Sequence, residues 1–155
     1  MTRVSESIVV RASLAETWDH YFEPLGWRAW VDQFEAVVES DGYPRTGGTL
    51  RWRSVPAGRG EVSERVLEHE PRRRHRIAWE DQASEGELET MFEMQRQSTR
   101  LTQTLTYDLR DPGLFTRAAN LLFVRGQMRR SLERSLTRFR HEVEELAALA
   151  RVTRG

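Results

Sequence analysis

The chain has 155 residues, 38% hydrophobic and 31% charged, which is enough apolar material to bury roughly 70% of the unfolded surface in one core and unlike the composition of disordered chains. All 24 basic residues are arginine, balanced by 24 acidic residues, with no cysteine; disulfides, thiolate metal sites, a cysteine nucleophile, a P-loop lysine and a Schiff-base lysine are excluded. Zero net charge argues against broad electrostatic binding to nucleic acid, and with no signal-peptide core near Glu6 and no membrane-length apolar run, the expectation is a cytoplasmic protein without a membrane span.

Val4, Glu6, Ile8 and Val10 alternate with Ser5, Ser7, Val9 and Arg11, the period of a half-buried strand. The period then changes. Ser13 and Glu16 form a capping box, and Leu14, Trp18, Tyr21 and Phe22 fall at helical spacing until Pro24 and Gly26 stop the helix. A second short helical or turn segment, Trp27 to Asp32, bears Trp27 and Trp30.

From Phe34 to Leu109 the sequence reads as strands near 34–40, 49–55, 60–69, 74–80, 86–96 and 99–109. Turn signals separate them: Asp41-Gly42, Gly47-Gly48, Pro56 to Gly60, Pro71, Ser84 to Gly86 and Gln97-Ser98. Leu101, Gln103, Leu105 and Tyr107 alternate with Thr102, Thr104 and Thr106, as in a sheet with one wet face and one apolar face. Asp111-Pro112-Gly113 then opens a long helical segment. Its apolar face runs through Ala118, Leu122, Leu132, Leu136, Phe139, Val143 and Leu146. One domain over 1–150 with a frayed end at 151–155 is expected.

This order resembles the START-like helix-grip superfamily, also called SRPBCC, and its polyketide cyclase/dehydrase branch in particular. The resemblance spans nearly the whole chain: the strand and capped helix from Ile8 to Trp18, then Trp30, the Gly47-Gly48 turn, and Val66 with Pro71-Arg72-Arg73. Ser98-Thr99-Arg100-Leu101-Thr102 and Phe139-Arg140-x-Glu142 are similar too. It implies an α+β helix-grip fold: a curved antiparallel sheet of about seven strands in β-α-α-β6-α order around a long C-terminal helix, with an internal cavity. Members of the superfamily include lipid and hormone binders, aromatase/cyclases and partners of chaperones, and they share no universal catalytic motif.

Arg125 and Arg129 interrupt the apolar seam of the long helix. Either they project into the cavity to hold a carboxylate, enolate or phosphate, or this half of the helix overhangs the sheet and they reach water. Gly126 marks a bend or a close contact with Trp27 or Trp30. The stretch from Ala118 to Val124, apolar almost all round, needs cover from a lid or a second subunit, so a homodimer is an option.

The strand alternation puts Trp52, Glu64, His75, Trp79, Thr90, Phe92, Gln103 and Tyr107 on the inner face. A carboxylate there is costly unless paired, which makes Glu64 a candidate general base beside Arg125 or Arg129. Gln103, Tyr107 and His75 are candidates for orienting a ligand by hydrogen bonds, although a register slip would turn His75 outward. Trp27 and Trp30 serve either as a cavity lid or as core. Arg72-Arg73-Arg74-His75-Arg76 reads as a solvated turn, and no metal or cofactor motif appears among the four histidines or elsewhere.

The function expected first is binding of a small hydrophobic molecule, a lipid or an aromatic polyketide-like compound. A cyclase/dehydratase-type enzyme is the alternative, with Arg125 on an enolate and Glu64, His75 or Tyr107 moving protons. The third option is a co-chaperone-like interaction domain whose interior is filled and whose Ala118 to Val124 surface is exposed.

Overall fold

The computed structural model of the chain describes residues 1–111 and 118–155, without the side chains of 118 and 119. Strand β1 (Thr2–Val10) leads into helix α1 (Leu14–Tyr21), whose first turn is closed by the capping box: Ser13 Oγ accepts the Glu16 N–H and Glu16 returns the bond to the Ser13 N–H. A 3-10 turn over Pro24–Gly26 and the four-residue α2 (Trp27–Trp30) follow. Six strands come next: β2 (Phe34–Asp41), β3 (Thr49–Ser54), β4 (Glu61–Glu70), β5 (Arg74–Glu80), β6 (Ser84–Gln95) and β7 (Ser98–Leu109). Helix α3 (Ala118–Arg154) closes the chain. No helix among the described residues is long and apolar enough to cross a membrane.

The strands form one antiparallel sheet in the order β1-β7-β6-β5-β4-β3-β2, so the first strand returns to pair with the last. β2 carries two register breaks, between Phe34 and Ala36 and between Val37 and Glu39, while β1 pairs with β7 without interruption. α3 packs against β1, and α1 and α2 both pack on α3. This is the helix-grip arrangement. The seam that α3 buries consists of Leu132, Leu136, Phe139, Val143 and Ala147. Beneath α1 and α2 lies an aromatic core of Trp18, Tyr21, Trp30, Phe92 and Phe139, with Trp30 and Phe139 4.7 Å apart and Trp18 and Phe92 4.8 Å apart.

Several local expectations are corrected. The seam passes through Ala147, leaving Leu146 49% exposed, because successive steps of four residues advance the buried stripe by one position relative to a step of three. Helix α3 extends through Arg154. Gly86 is a strand residue opposite Trp79 and Tyr107, not a turn residue; a side chain there would collide with the Thr106 carbonyl oxygen, so the sheet itself demands glycine. Gly126 lies inside an uninterrupted helix, and the nearest atoms to the position of a side chain there belong to the Arg130 guanidinium, not to Trp27 or Trp30. The opening of the helical segment at Pro112-Gly113 falls outside the described residues.

The arginine-rich run does form a turn, with Arg72 at φ 60°. Beyond it, Arg74 reaches Glu68 at 2.6 Å and Arg76 reaches both Glu68 and Glu87 at 2.8 Å on the outer face of the sheet. Those charges are matched within the chain.

Candidate functional site

The strand register assembles a lateral row of polar side chains under α3. His69 stands beside His75, His75 beside Thr90, Thr90 beside Gln103, and Gln103 beside Glu6, so the row crosses β4, β5, β6, β7 and β1. Tyr21, at the end of α1, sets its hydroxyl on the middle of this row. Its oxygen lies 3.0 Å from Thr90 Oγ1, and Gln103 Nε2 donates to Tyr21 at 3.1 Å and to Thr90 at 3.3 Å. Burial pushes the Tyr21 phenol up to about 12, a rise that the Thr90 bond opposes and the nearby Glu64 carboxyl reinforces. At neutral pH it is therefore a protonated hydroxyl, able both to donate and to accept.

His75 and His69 face each other Nδ1 to Nδ1 at 3.0 Å, so one ring donates and the other accepts. Burial, and secondarily His69, hold His75 down to about 3. It is a neutral imidazole at physiological pH, and its Nε2 is buried with no partner among the described residues. Phe22 and Tyr43 box its ring at centroid distances of 4.8 and 5.8 Å.

A second row runs from Leu50 through Glu64 to Trp79. Glu64 Oε1 accepts the Trp52 indole N–H at 3.0 Å. Burial raises the Glu64 pKa, against the opposing effects of that bond and of the Arg59 charge. Arg59 comes from the β3–β4 loop and lies over the rings of Trp79 and Trp52, 4.7 and 5.5 Å from their centroids, a stacked geometry that favours guanidinium over ammonium. Its Nε donates to Asp81 at 2.8 Å, and Asp81 is itself fixed by the N–H groups of Ala83 and Ser84, each at 2.9 Å. Most of the Arg59 charge is thus matched by Asp81, which leaves Glu64 with a hydrogen bond but no dedicated cation.

These rows bound a cavity of about 160 Å³ between the sheet and α3. Of the side chains singled out from the sequence, Trp27, Trp30, Trp52, Glu64, His75, Trp79, Thr90 and Gln103 line it. The indole N–H groups of Trp30 and Trp79 are buried without a partner among the described residues. His75 faces inward, so the outward reading of that strand does not hold. Phe92 and Tyr107 are also buried but stand away from the cavity, Phe92 against Trp18 and Tyr21, Tyr107 with Val4 and Leu132.

Arg125 and Arg129 are corrections. Both are exposed, and Arg129 pairs with Glu6 at 3.3 Å. In this part of α3 the inner positions are Val124 and Met128, partly buried against the sheet, with Met128 lining the cavity. The arginines are one residue on, about 100° around the helix. Glu64 therefore has neither of them as a partner, and the cation nearest the site chemistry is Arg59.

Sequence reasoning passed over Tyr21, Tyr43, Arg59, Asp32, Ser131 and Ser135, all of which line the cavity. Asp32, just after α2, ties this wall to α3. Its carboxylate accepts Ser131 Oγ at 2.7 Å and Arg134 at 2.9 and 3.1 Å, its backbone N–H donates to Ser135 Oγ at 2.9 Å, and Arg138 lies 3.4 Å away. Burial alone would raise the Asp32 pKa, but these hydrogen bonds and the two guanidinium charges outweigh it and hold the carboxyl below its usual range. The visible signal was the spacing Ser131, Arg134, Ser135, Arg138, a polar stripe at helical intervals beside the apolar seam.

The fold recurs in solved structures of low sequence identity. The Zhui aromatase/cyclase of a Streptomyces species superposes with a TM-score of 0.75 at 16% identity, covering 92% of this chain and 93% of that one. The TTHA0849 protein of Thermus thermophilus gives 0.71 at 21% identity over 95% and 99%. DynU16, a protein of the dynemicin biosynthetic locus, gives 0.68 at 19% identity over 92% of this chain and 47% of that one. No curated protein sequence matches. The family model described as "Polyketide cyclase / dehydrase and lipid transport" matches residues 1–144. That span contains every cavity residue described above, from Tyr21 to Ser135, and the chain belongs to the polyketide cyclase / dehydrase and lipid transport family.

Proposed function

We propose that the protein binds one small apolar, ring-bearing molecule between its sheet and α3. The observation that carries this reading is the 160 Å³ cavity walled by Trp27, Trp30, Trp52 and Trp79 with the Glu64 carboxyl inside it. A cavity of roughly 150 Å³ holds a benzene ring, so a single ring fits the space, and a larger polyketide-like ligand requires the α2 wall or the Arg59 loop to move. Glu64, His75 and the Trp30 and Trp79 N–H groups offer hydrogen bonds that the protein itself leaves open. A phenol should therefore bind better than the parent hydrocarbon.

Calorimetric titration with 4-methylphenol and with toluene tests this. Binding of both, with the phenol tighter, is expected; loss of the phenol's advantage in Glu64→Gln and His75→Phe would identify the groups that read the hydroxyl. Absence of binding by either ring, together with nothing released on denaturing the purified protein and inspecting the extract by mass spectrometry, would refute the reading.

One observation favours a second reading, a cyclase/dehydratase-type reaction. Glu64 is a half-buried carboxyl whose desolvation raises its pKa, suited to giving and taking a proton, and Zhui, a structural neighbour, is named an aromatase/cyclase. Turnover of a polyketide-like ketone that disappears in Glu64→Gln while ligand binding persists would establish it. The open cavity weighs against an interaction domain with a filled interior.

A further inference from the structure

The N-terminal part of α3 exposes three consecutive large apolar residues, Leu121, Leu122 and Phe123, at 48%, 68% and 60% of their surfaces. Three adjacent positions span ~200° of a helix, so no single packing surface covers them all. Val124 and Met128 take the inner side, which leaves Leu122 and Phe123 on the outer one. An exposed apolar group of this kind next to unmatched charge is the composition of an interfacial surface.

The charge around it has one sign. From 120 to 140 the chain has six arginines and a single acidic residue, Glu133. Arg134 and Arg138 are engaged with Asp32, and Arg129 with Glu6. Arg125 and Arg130 pair with no carboxylate among the described residues. Gly126 explains where one of them lies: with no side chain at 126, the Arg130 guanidinium folds back one turn along the helix, its Nη1 3.3 Å from where a Cβ would stand. The glycine thus leaves room for that cation on the outer surface of the helix.

A second copy of the chain is a poor occupant, because a two-fold interface repeats the same patch on both sides and would set Arg125 and Arg130 against their own counterparts. An anionic, apolar-backed surface satisfies both halves of the patch. We propose that this end of α3 docks the protein on an anionic lipid bilayer, with Leu122 and Phe123 entering the interface and Arg125 and Arg130 meeting lipid phosphates. The Met128 side of the same turns lines the cavity, so docking would bring the cavity next to the bilayer. The proposal rests on the outer surface and does not depend on which molecule the cavity takes.

Co-sedimentation of the full chain with large vesicles of phosphatidylglycerol and phosphatidylcholine, against vesicles of phosphatidylcholine alone, tests it. Binding to the anionic vesicles should weaken about 30-fold in R125Q/R130Q and at least about 10-fold in L122S/F123S, and it should fall with added salt. All four positions are exposed, and circular dichroism should confirm that the variants keep their fold. Equal binding to both vesicle types, no binding at all, or unchanged binding by either variant would overturn the proposal. A dimer seen by light scattering that L122S/F123S dissociates, with no pelleting on vesicles, would assign the patch to a second copy instead.

Discussion

Glutamine at position 64 keeps the shape of the side chain, and its carbonyl oxygen can still accept the 3.0 Å bond from Trp52 Nε1, while the ionisable group is gone. Burial raises the pKa of Glu64 in the folded protein, so the folded state holds this proton more tightly than the unfolded chain, where a glutamate titrates near ~4.3. The contribution of that proton to stability is complete below the unfolded value and is lost as pH rises from there through the folded value. Over that interval wild-type stability falls by up to ~1.4 kcal/mol per pH unit relative to a protein lacking the group. Asp32 and Asp81 titrate with the opposite sign, but both are present in the two proteins and cancel in the difference. The Arg59 attraction that glutamine forfeits is small, because Asp81 already matches that guanidinium at 2.8 Å. Urea unfolding of wild type and Glu64→Gln at intervals from about pH 4 to 8 should give curves that diverge in favour of the variant with increasing pH, at unchanged m. A constant difference across the range, or a variant that loses ground toward pH 8, would refute the assignment of Glu64 as an inadequately compensated half-buried carboxyl.

Asp32→Ala should cost about 2 kcal/mol, since it removes charge-assisted bonds whose arginine ends are half exposed and partly screened, and the melting temperature should drop by ~4–8 °C. Its depressed pKa makes that stabilisation present above the unfolded value of ~3.9 and lost as pH falls through the folded one, so melting curves of variant and wild type should converge in strong acid. His75, held to about 3, should show a ring-proton resonance that does not move between about pH 8 and 5. The unfolded chain takes up that proton as pH falls through ~6.5, so His75 withdraws stability in acid; a resonance titrating near neutrality would overturn its burial. Phe139→Ala, at a fully buried position against Trp30 and Tyr21, should cost ~3–5 kcal/mol in denaturant titration, whereas Leu149→Ala, 62% exposed on the same helix, should stay within ~0.5 kcal/mol. Comparable losses at the two positions would misplace the buried face of α3.

The fold was legible because its signals are periodic and repeated. Alternation through β7, the Ser13–Glu16 capping box and the Leu132–Phe139 seam each report one local geometry, and together they determine which side of each element is inside. Six of the cavity's side chains follow from the same parity, since Trp52, Glu64, His75, Trp79, Thr90 and Gln103 need only the strand period, and Trp27 and Trp30 need only their place after α1. What was not legible depends on angle or on distance in space. Arg125 and Arg129 differ from Val124 and Met128 by one helical position, about 100°, and which of the two positions faces the sheet is set by how the end of the helix lies on it, which no local spacing records. Arg59 sits in a loop with no periodicity to read, and its stacking on Trp52 and Trp79 exists only after β3 and β5 have taken their places on either side of β4. Tyr21 has the spacing of a core residue; only the register that pairs Thr90 with Gln103 brings hydrogen-bond partners to its hydroxyl.

The two breaks in β2 bear on how the chain meets copies of itself. A sheet that does not close presents two free edges, and an unbroken edge invites another strand. Here one edge strand, β2, is kinked twice within eight residues, so its N–H and C=O groups do not form a continuous template. The other, β1, has α3 packed along it. Strand-by-strand growth into larger sheets is discouraged at both ends, so the chain meets copies of itself, if at all, through side chains and not through its strand edges.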